Sequence, residues 1–316
     1  MRSPLVELLS QEFVLPVLVT AVMLATPLLL AALGETLSEK SGVFNIGIEG
    51  YMLMGAFAAY AGALVTRNLW SGCLIGIVSG LALALLHSIL CVTLGSDQIV
   101  SGIGINVFSW GITSFIFRML QATIGKAPMG LGTFKPLSVP ILSDIPWLGP
   151  AFFEQSILTY LSYILIFVFG AILYRTQFGL KVRAAGEDPL VTESRGVNPI
   201  KIRYAAVLIC GAIAGLAGSF YTLVWLSAFS EGMTAGRGFI VLGTVIVSGW
   251  NPYFTFGVCL IFAFVEALGL KLQIFYPQIP YPFMLMLPYV ITIIVLALRR
   301  RVVPPKNLGV PYKRAR

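Results

Sequence analysis

The sequence predicts an all-α polytopic membrane protein with about nine transmembrane helices, within a range of about eight to ten. Of its 316 residues, 58% are hydrophobic and only 11% are charged, whereas a soluble domain usually has about 25% charged residues. The mean hydropathy is high, at +0.91, and the apolar residues are gathered into runs long enough to cross a bilayer. A chain of this composition lacks the polar surface that a water-soluble globule needs.

Nine apolar segments stand out along the chain. The seventh is shorter than the roughly 20 residues that a membrane helix needs, so we expect it to be a half-helix or a re-entrant segment. The segments are 14–33, 43–66, 69–94, 97–120, 156–174, 204–227, 238–249, 253–274 and 282–298.

The distribution of Lys and Arg predicts how the helices are oriented in the membrane. Most of these residues lie in the loop 175–203, in the basic tail 299–316 and at Lys40. Loops rich in Lys and Arg usually lie on the cytoplasmic side, and an even number of predicted spans separates the loop from the tail. We therefore expect the N-terminus outside and the C-terminus in the cytoplasm. The net charge of +8 is then mainly a topology signal, and we expect no nucleic-acid partner.

The sequence has no motif for ATP binding or catalysis. The stretch from Gly34 to Ser41 has the spacing of a phosphate loop, but Glu39 occupies a position where such a loop requires glycine. The only histidine, His87, lies in an apolar segment, and neither an HExxH nor a G-x-S-x-G motif is present. We therefore predict a non-catalytic protein without a metal or cofactor site.

Charged and polar residues interrupt the apolar pattern in the stretch GETLSEKSGVFNIGIEG, residues 34–50. We expect a cytosolic turn over 34–40 and an irregular helix start over 45–50. Polar groups inside apolar spans usually face a bundle interior or a water-filled path. Asn45 and Glu49 lie four residues apart and share a helix face. Glu49 therefore either braces neighbouring helices or lines a pathway.

A stripe of small and uncharged polar residues runs along the fourth apolar segment. Its members fall within an arc of about 80° on a helix. Such a stripe suits either the wall of a pore or an interhelical hydrogen-bond seam. Amide and hydroxyl groups without fixed charge fit a neutral polar solute. The stripe consists of Gln98, Gly102, Asn106, Ser109 and Thr113.

Two loops have features beyond simple connection. In the predicted cytoplasmic loop, Asp188 is suited to N-cap a short helix, Pro189 to its first turn and Gly196 to its end. Such a helix either docks on a partner or only connects two spans. The outside loop 121–155 is proline-rich and semi-apolar, and it either covers the bundle or forms a platform for an external partner.

Four stretches of this sequence together resemble the permeases of ABC transporters. The subgroup they resemble is that of nucleoside and simple-sugar uptake permeases, which is related to the ribose and branched-chain amino acid permeases. The resemblance runs over nearly the whole chain, and the order of the stretches also matches. The stretches are GETLSEKSGVFNIGIEGYMLMGAFAAY, DQIVSGIGINVF, RAAGEDPLVTESRGVNPIKIRYAAVLICGAIAGLAGSFYTL and SEGMTAGRGFIVLGTVIVSGWNP.

The resemblance implies one permease domain over residues 1–316, a helical fold akin to vitamin B12 importer-type membrane subunits, and a place in the bacterial cytoplasmic (inner) membrane. It implies no ATPase activity in this chain. The expected partners are a second homologous permease subunit, a cytoplasmic ABC ATPase and an extracytoplasmic substrate-binding lipoprotein. The expected cargo is a nucleoside or a related neutral, sugar-containing solute.

The resemblance also assigns candidate site residues. Glu187, Asp188 and Pro189 would open the coupling helix that meets the ATPase, and Arg195 would offer it a polar contact. The hinge from Asn45 to Glu49 would line the substrate path. With the polar stripe included, the predicted pathway residues are Asn45, Glu49, Gln98, Asn106, Ser109 and Thr113. Phe108 and Trp110 flank the stripe and are candidates for stacking on a base.

Three other functions stay open at this point, and one of them is a non-transport membrane enzyme or scaffold. The same kind of permease would serve a simple sugar such as a pentose. A stand-alone secondary transporter would be expected to use intramembrane carboxylates for ion coupling, and Glu49 and Glu266 are the candidates. A co-purified ATPase would separate an ABC permease from a secondary transporter.

Overall fold

The computed structural model describes residues 11–124, 132–275, 278, 280–298 and 303–312. These residues are largely helical, and the strands among them are a short antiparallel pair, β1 (Leu137–Ser138) and β2 (Glu154–Gln155). In chain order the helices are α1 (Gln11–Lys40), α2 (Ile48–Thr66), α3 (Leu69–Ser88), α4 (Gln98–Ile124), α5 (Leu148–Phe152), α6 (Ile157–Arg175), α7 (Gln177–Glu187), α8 (Pro189–Ser194), α9 (Pro199–Phe220), α10 (Arg237–Ser248), α11 (Pro252–Phe275) and α12 (Tyr281–Leu298).

Seven helices in the described part of the chain are long and apolar enough to cross a membrane, namely α1, α2, α3, α4, α6, α9 and α11. Two of them, α3 and α9, continue as a turn of π-helix at Ile89–Thr93 and Tyr221–Trp225. Each predicted apolar segment has a helix at its place, which confirms the prediction of an all-α polytopic membrane protein. The count of about nine spans stays a prediction, with α10 and α12 as the two further segments.

The short helix α10 corresponds to the predicted seventh segment. Its 12 residues extend over about 18 Å, which is less than the roughly 30 Å of a hydrocarbon core. An irregular stretch, 226–236, precedes it and is bound to α4 through Glu231 and Arg118. Directly after α10, Trp250 binds Glu39 near the end of α1. The start of α4 lies beside the end of α1, whereas Arg118 lies near the end of α4. These two contacts therefore lie toward opposite ends of the bundle.

The helix α1 lies at the centre of the bundle and packs against α6, α9, α10 and α11. The prediction of a cytosolic turn over 34–40 is wrong, because the helix continues to Lys40 and every residue from 24 to 39 is buried. The Ser38 hydroxyl donates to the Val43 carbonyl beyond the end of the helix over 3.0 Å, and other hydroxyl groups in this part bond within the helix. The Thr36 hydroxyl, for example, donates to the Ala32 carbonyl over 2.7 Å. Glu35 and Glu39, which suggested a turn, are therefore interior residues of the bundle.

Glycines allow α9 to pack closely against α3. The G-x-x-x-G spacing of Gly211 and Gly215 predicts such an approach, and the structure confirms it. A Cβ atom added at Gly80 of α3 would lie 2.2 Å from the Gly211 carbonyl oxygen. One added at Gly215 would lie 2.3 Å from the Gly76 carbonyl oxygen. The two backbones are thus too close for any side chain at these positions.

One end of the bundle gathers segments that the sequence places in the cytoplasm. Gly186, near the end of α7, packs on the end of α1, where an added Cβ would lie 2.2 Å from the Lys40 carbonyl oxygen. Residues 303–312 fold onto the same end, and the Asn307 amide donates to the Gly186 carbonyl over 2.9 Å. Most basic residues of the predicted tail lie outside the described residues. The orientation of this end toward the cytoplasm stays a prediction.

At the opposite end, the predicted outside loop 121–155 folds back over the helices. Its residues 125–131 lie outside the described part of the chain. The Phe134 amide donates to the Leu223 carbonyl over 3.0 Å, and the Phe134 ring packs edge-on against Trp70 with 4.9 Å between the ring centroids. The loop therefore covers the ends of α3 and α9, and its role as a docking platform stays a prediction.

We predict that Gly80→Ala destabilises the protein by about 1–3 kcal/mol, because the added methyl group would overlap the Gly211 carbonyl group. Gly257 in α11 is the matched control, since a Cβ added there meets nothing within 4 Å. Alanine is favoured over glycine in a helix by about 1 kcal/mol, so Gly257→Ala should not destabilise. Thermal unfolding of the purified protein in detergent measures both variants, and equal midpoints would contradict the close packing of α3 and α9.

Candidate functional site

A non-helical stretch at 41–47, which we call the break, separates α1 from α2 inside the bundle. Backbone N–H groups in an apolar interior need partners from the protein itself, and polar side chains of α1 and α4 supply them. Gln98 Oε1 accepts from the Phe44 amide over 2.7 Å. Glu35 Oε1 accepts from the Asn45 amide over 3.2 Å. The break is therefore stabilised by side chains of neighbouring helices.

Asn106 of α4 caps the start of α2. Its Oδ1 accepts from the Gly50 amide over 2.8 Å, and its Nδ2 donates to the Ile46 carbonyl over 2.9 Å. The N-cap residue Gly47 offers no side chain for this purpose, and the first amides of a helix have no intrahelical partners. The Asn106 amide group thus replaces the missing cap.

Glu49 caps a second helix start, that of α10. Its Oε1 accepts from the Thr234 hydroxyl over 2.6 Å and from the Gly236 amide over 2.8 Å. Its Oε2 accepts from the Gly238 amide over 2.6 Å. The positive end of the helix dipole also stabilises a carboxylate at a helix N-terminus. Glu49 therefore braces α10 against α2, which is one of the two roles predicted for it.

A cavity of about 350 Å³ lies between α2, α4 and the start of α10. Its polar groups are the Glu49 carboxylate and the Asn106 amide. Its aromatic walls are Trp110, which is 58% exposed, and Phe239, which is 48% exposed. Residues of the turn 232–236 also line the cavity. Small-molecule sites are typically apolar clefts with a few polar groups at fixed positions, and this cavity has that composition.

The predicted polar stripe on α4 divides into two parts. Gln98, Ser109 and Thr113 are buried, whereas Asn106 reaches the cavity. A Cβ added at Gly102 would lie 2.8 Å from a backbone nitrogen of the break, so the stripe packs closely on the break. Gln98 and Asn106 form interhelical hydrogen bonds to the break and to the start of α2, whereas Thr113 bonds within α4. A pathway role for the buried members of the stripe stays a prediction.

Two buried carboxyl groups, those of Glu35 and Glu39, lie next to the break. Asn45 donates from Nδ2 to Glu35 Oε2 over 3.0 Å, and the Cys210 thiol donates to the same oxygen over 3.3 Å. Trp250 donates from its indole Nε1 to Glu39 Oε2. The predicted pathway residue Asn45 is fully buried here and is a partner of Glu35.

This carboxyl pair is not among the residues predicted from the sequence, because both residues were expected in a turn. A usable signal was present, since two Glu residues four apart at the end of an apolar run share one helix face. Charged residues within apolar spans usually have protein partners. The partners were not readable, because Cys210 is 175 residues from Glu35 and Trp250 is 211 residues from Glu39.

A partly buried ion pair lies beside the start of α10. Arg237 Nη2 is 2.5 Å from Glu266 Oε1, and the two side chains are 13% and 12% exposed. The guanidinium group also lies 5.5 Å from the ring centroid of Tyr221 and 5.2 Å from that of Trp225, within the range of cation–π attraction. Glu266 and Glu49, the carboxylates considered for ion coupling, are thus both engaged by protein groups.

An exposed ion pair holds the irregular stretch before α10. Arg118 donates through Nε and Nη2 to the two oxygens of Glu231, over 2.8 and 2.9 Å. These hydrogen bonds lower the pKa of the Glu231 carboxyl below its ordinary value. Exposed ion pairs contribute little to stability, so this contact mainly fixes the position of 226–236 against α4.

The loop 175–203 contains two short helices, α7 and α8, where the sequence predicts one. Asp188 Oδ1 accepts from the Val191 amide over 3.0 Å, and Pro189 occupies the first turn of α8. Gly196, just after α8, has a φ of +81°, a conformation that favours glycine. These contacts confirm the predicted capped helix.

The residues of α8 and its flanks form an exposed surface. Glu187, Asp188 and Arg195 are exposed, whereas Pro189 is buried. Leu190 is 60% exposed, so the helix presents an apolar side chain among charged ones. A contact of this surface with an ATPase stays a prediction.

We predict that Glu39→Gln is at least as stable as the parent protein. The glutamine keeps an oxygen that accepts from Trp250, and it removes an ionisable carboxyl group from a buried site beside Glu35. Glu39→Leu should lower the stability by about 1–3 kcal/mol, because the buried indole N–H loses its acceptor. Thermal unfolding in detergent compares the variants.

Trp250→Phe provides the control for this prediction. In the Glu39→Leu background it removes the unpartnered N–H group, so it should recover part of the lost stability. A Glu39→Gln variant that is clearly less stable than the parent would contradict our account of the pair.

Comparison with known proteins identifies the family. A family model for permease components of branched-chain amino acid transport systems matches residues 17–296. The guanosine ABC transporter permease protein NupQ of Bacillus subtilis is 36% identical, over 95% of this chain and 97% of its own. The nucleoside ABC transporter permease protein NupC of Lactococcus lactis is 33% identical, over 91% and 93% of the two chains.

A putative glucose ABC transporter permease protein, TsgC13 of Haloferax volcanii, is 37% identical over 83% of this chain and 79% of its own. No solved structure matches the chain, so the likeness to vitamin B12 importer subunits stays a prediction. The family model covers most of the sequence, including every element that forms the cavity. The chain therefore belongs to the family of permease components typified by branched-chain amino acid transport systems.

Proposed function

We propose that this chain is the membrane-spanning permease subunit of a bacterial ABC importer for nucleosides or related neutral, sugar-containing solutes. The observation that carries the proposal is the similarity to guanosine and nucleoside permeases over nearly the whole length of both chains. The chain would lie in the cytoplasmic (inner) membrane with its N-terminus outside and its C-terminus inside. Separate ATP-binding subunits would hydrolyse ATP, so this chain would not be an enzyme.

The composition of the cavity supports a nucleoside as the solute. Trp110 and Phe239 offer aromatic faces, and stacking on such a face contributes about 1–3 kcal/mol per base. The Asn106 amide has a second N–H group beyond the one that binds Ile46, and a sugar hydroxyl or a base edge would accept from it. Three donors already bind the Glu49 carboxylate, which favours a neutral solute.

The exposed surfaces support the proposed partners. The outer face of α4 presents Ile103 and Val107 next to the cavity, and each is at least half-exposed. A second homologous permease subunit would cover this apolar face and close the cavity. The helix α8 would meet the ABC ATPase, and the loop 121–155 would face an extracytoplasmic substrate-binding lipoprotein.

A simple sugar is the second candidate solute, because one relative is a putative glucose permease. A sugar lacks a flat aromatic base, so it would gain much less from the aromatic walls of the cavity. The contribution of these walls to uptake therefore separates the two candidates.

We predict that Trp110→Ala lowers nucleoside uptake by about 5- to 150-fold, the equivalent of about 1–3 kcal/mol of lost stacking. Phe108→Ala is the matched control, because Phe108 is exposed on the same helix but does not line the cavity. It should leave uptake nearly unchanged. The measurement is the uptake of a labelled nucleoside by cells that depend on this permease, with equal amounts of each variant in the membrane.

Competition in the same cells tests the solute directly. Unlabelled nucleoside should abolish the uptake of label, whereas free ribose and glucose should not. Competition by a free sugar as strong as by the nucleoside would favour the second candidate. Equal uptake by the Trp110 and Phe108 variants would argue against stacking in the cavity.

We predict that replacing Glu187, Asp188 and Pro189 with glycine leaves the permease inserted and bound to its sister subunit but strongly reduces coupling. Loss of the Asp188 cap costs about 0.5–2 kcal/mol of local helix stability, which loosens α8 without unfolding the bundle. Substrate-stimulated ATP hydrolysis by the reconstituted complex, with loaded binding protein, is the measurement.

Asp188→Asn is the matched control for this prediction, because asparagine caps a helix as well as aspartate does. It should retain both stimulation and uptake. Unchanged stimulation in the triple-glycine variant would show that the loop 175–203 is only a connector.

A further inference from the structure

Residues 303–312, which we call the C-terminal strap, run along the end of α7 toward α8. The Asn307 amide donates to the Gly186 carbonyl over 2.9 Å. The Asn307 side chain donates from Nδ2 to the Glu187 carbonyl over 2.6 Å. The last carbonyls of a helix have no intrahelical partners, so Asn307 caps the C-terminus of α7 from a distant part of the chain.

A buried arginine holds the middle of the strap. Arg203, at the start of α9, is only 1% exposed, and its Nη1 donates to the Val310 carbonyl over 3.0 Å. Its Nε donates to the Ser41 carbonyl over 3.2 Å, and the Gly309 amide donates to the Gly42 carbonyl over 3.2 Å. The guanidinium group therefore connects the strap to the break between α1 and α2.

The far end of the strap reaches α8 itself. The Tyr312 residue is 8% exposed, and its hydroxyl donates to Oε2 of Glu193 on α8. Between Asn307 and Tyr312, the strap and the first turn of α8 line a cavity of about 350 Å³. The strap thus binds two residues before α8 and one residue near its end, and it spans the space between them.

We propose that the C-terminal strap sets the position of α8 on the bundle, with Asn307 and Tyr312 as positioning residues. The helix has six residues, and a helix this short is not stable alone in water. The Asp188 cap acts within α8 and does not attach it to the transmembrane helices. Besides its packing on α7 and α9, α8 is linked by the strap to Arg203 and to the break.

Hydrogen–deuterium exchange of the α8 amides in the full-length permease tests the proposal. Tyr312→Phe keeps the ring and removes the hydroxyl, so the amides of α8 should exchange about 2- to 10-fold faster. Glu193→Gln keeps an acceptor for Tyr312 and should exchange more slowly than Glu193→Ala. Val303→Ala is the matched control on the strap, because Val303 is 78% exposed, and it should change nothing.

The double variant Tyr312→Phe with Glu193→Ala sharpens this test. If the two side chains act through their contact, α8 should exchange no faster in the double variant than in Glu193→Ala alone. Exchange in α3 and α9 should stay at the parental rate throughout. Parental exchange of α8 in both Tyr312→Phe and Asn307→Ala would overturn the proposal, and so would an equal increase in α3 and α9.

The role of the strap in coupling rests on the proposed function, whereas its effect on the position of α8 does not. Substrate-stimulated ATP hydrolysis by the reconstituted complex separates the two. Faster exchange in α8 with a loss of stimulation supports both. Faster exchange with unchanged stimulation supports the strap and contradicts the proposed function of α8. Parental exchange contradicts the strap, whatever the rate of ATP hydrolysis.

Discussion

Every backbone N–H and C=O group that leaves a helix inside an apolar bundle must find a partner within the protein. This chain leaves regular helix twice near its cavity, at the break between α1 and α2 and at the irregular stretch 226–236. Gln98 and Asn106 serve the first of these places, and Glu49 serves the second. The polar residues in apolar helices are therefore placed where the backbone needs them, and the cavity lies between α2, α4 and the second irregular stretch.

The segment from Glu35 to Glu49 touches both the cavity and the proposed coupling surface. On the side of the coupling surface, a Cβ added at Gly186 of α7 would lie 2.2 Å from the Lys40 carbonyl oxygen. At the other end, Glu49 binds the turn before α10. Densely packed interiors transmit displacement because they contain little free space. A shift of α7 toward the bundle would therefore press on α1 and on the break that follows it.

Sequence patterns that depend on neighbours in the chain were predictable, and contacts between distant residues were not. The apolar runs located the helices, and the residue types at Asp188, Pro189 and Gly196 predicted a helix that the structure contains. The turn over 34–40 was wrong because buried charge was mistaken for exposed charge. The stripe on α4 was recognised, but periodicity alone does not tell which element it faces. That depends on the break, whose fold requires partners from α1 and α4.

The charges near the cavity are arranged so that few of them are free to bind a solute. The Glu49 carboxylate accepts from three protein donors and lies at the positive end of α10. Arg237, in the first turn of α10, is neutralised by Glu266 and covered by two aromatic rings. A charged solute would lose its hydration without gaining a free counter-ion. Neutral groups that stack and form hydrogen bonds avoid this cost, so the caps that stabilise the broken helices also favour a neutral solute.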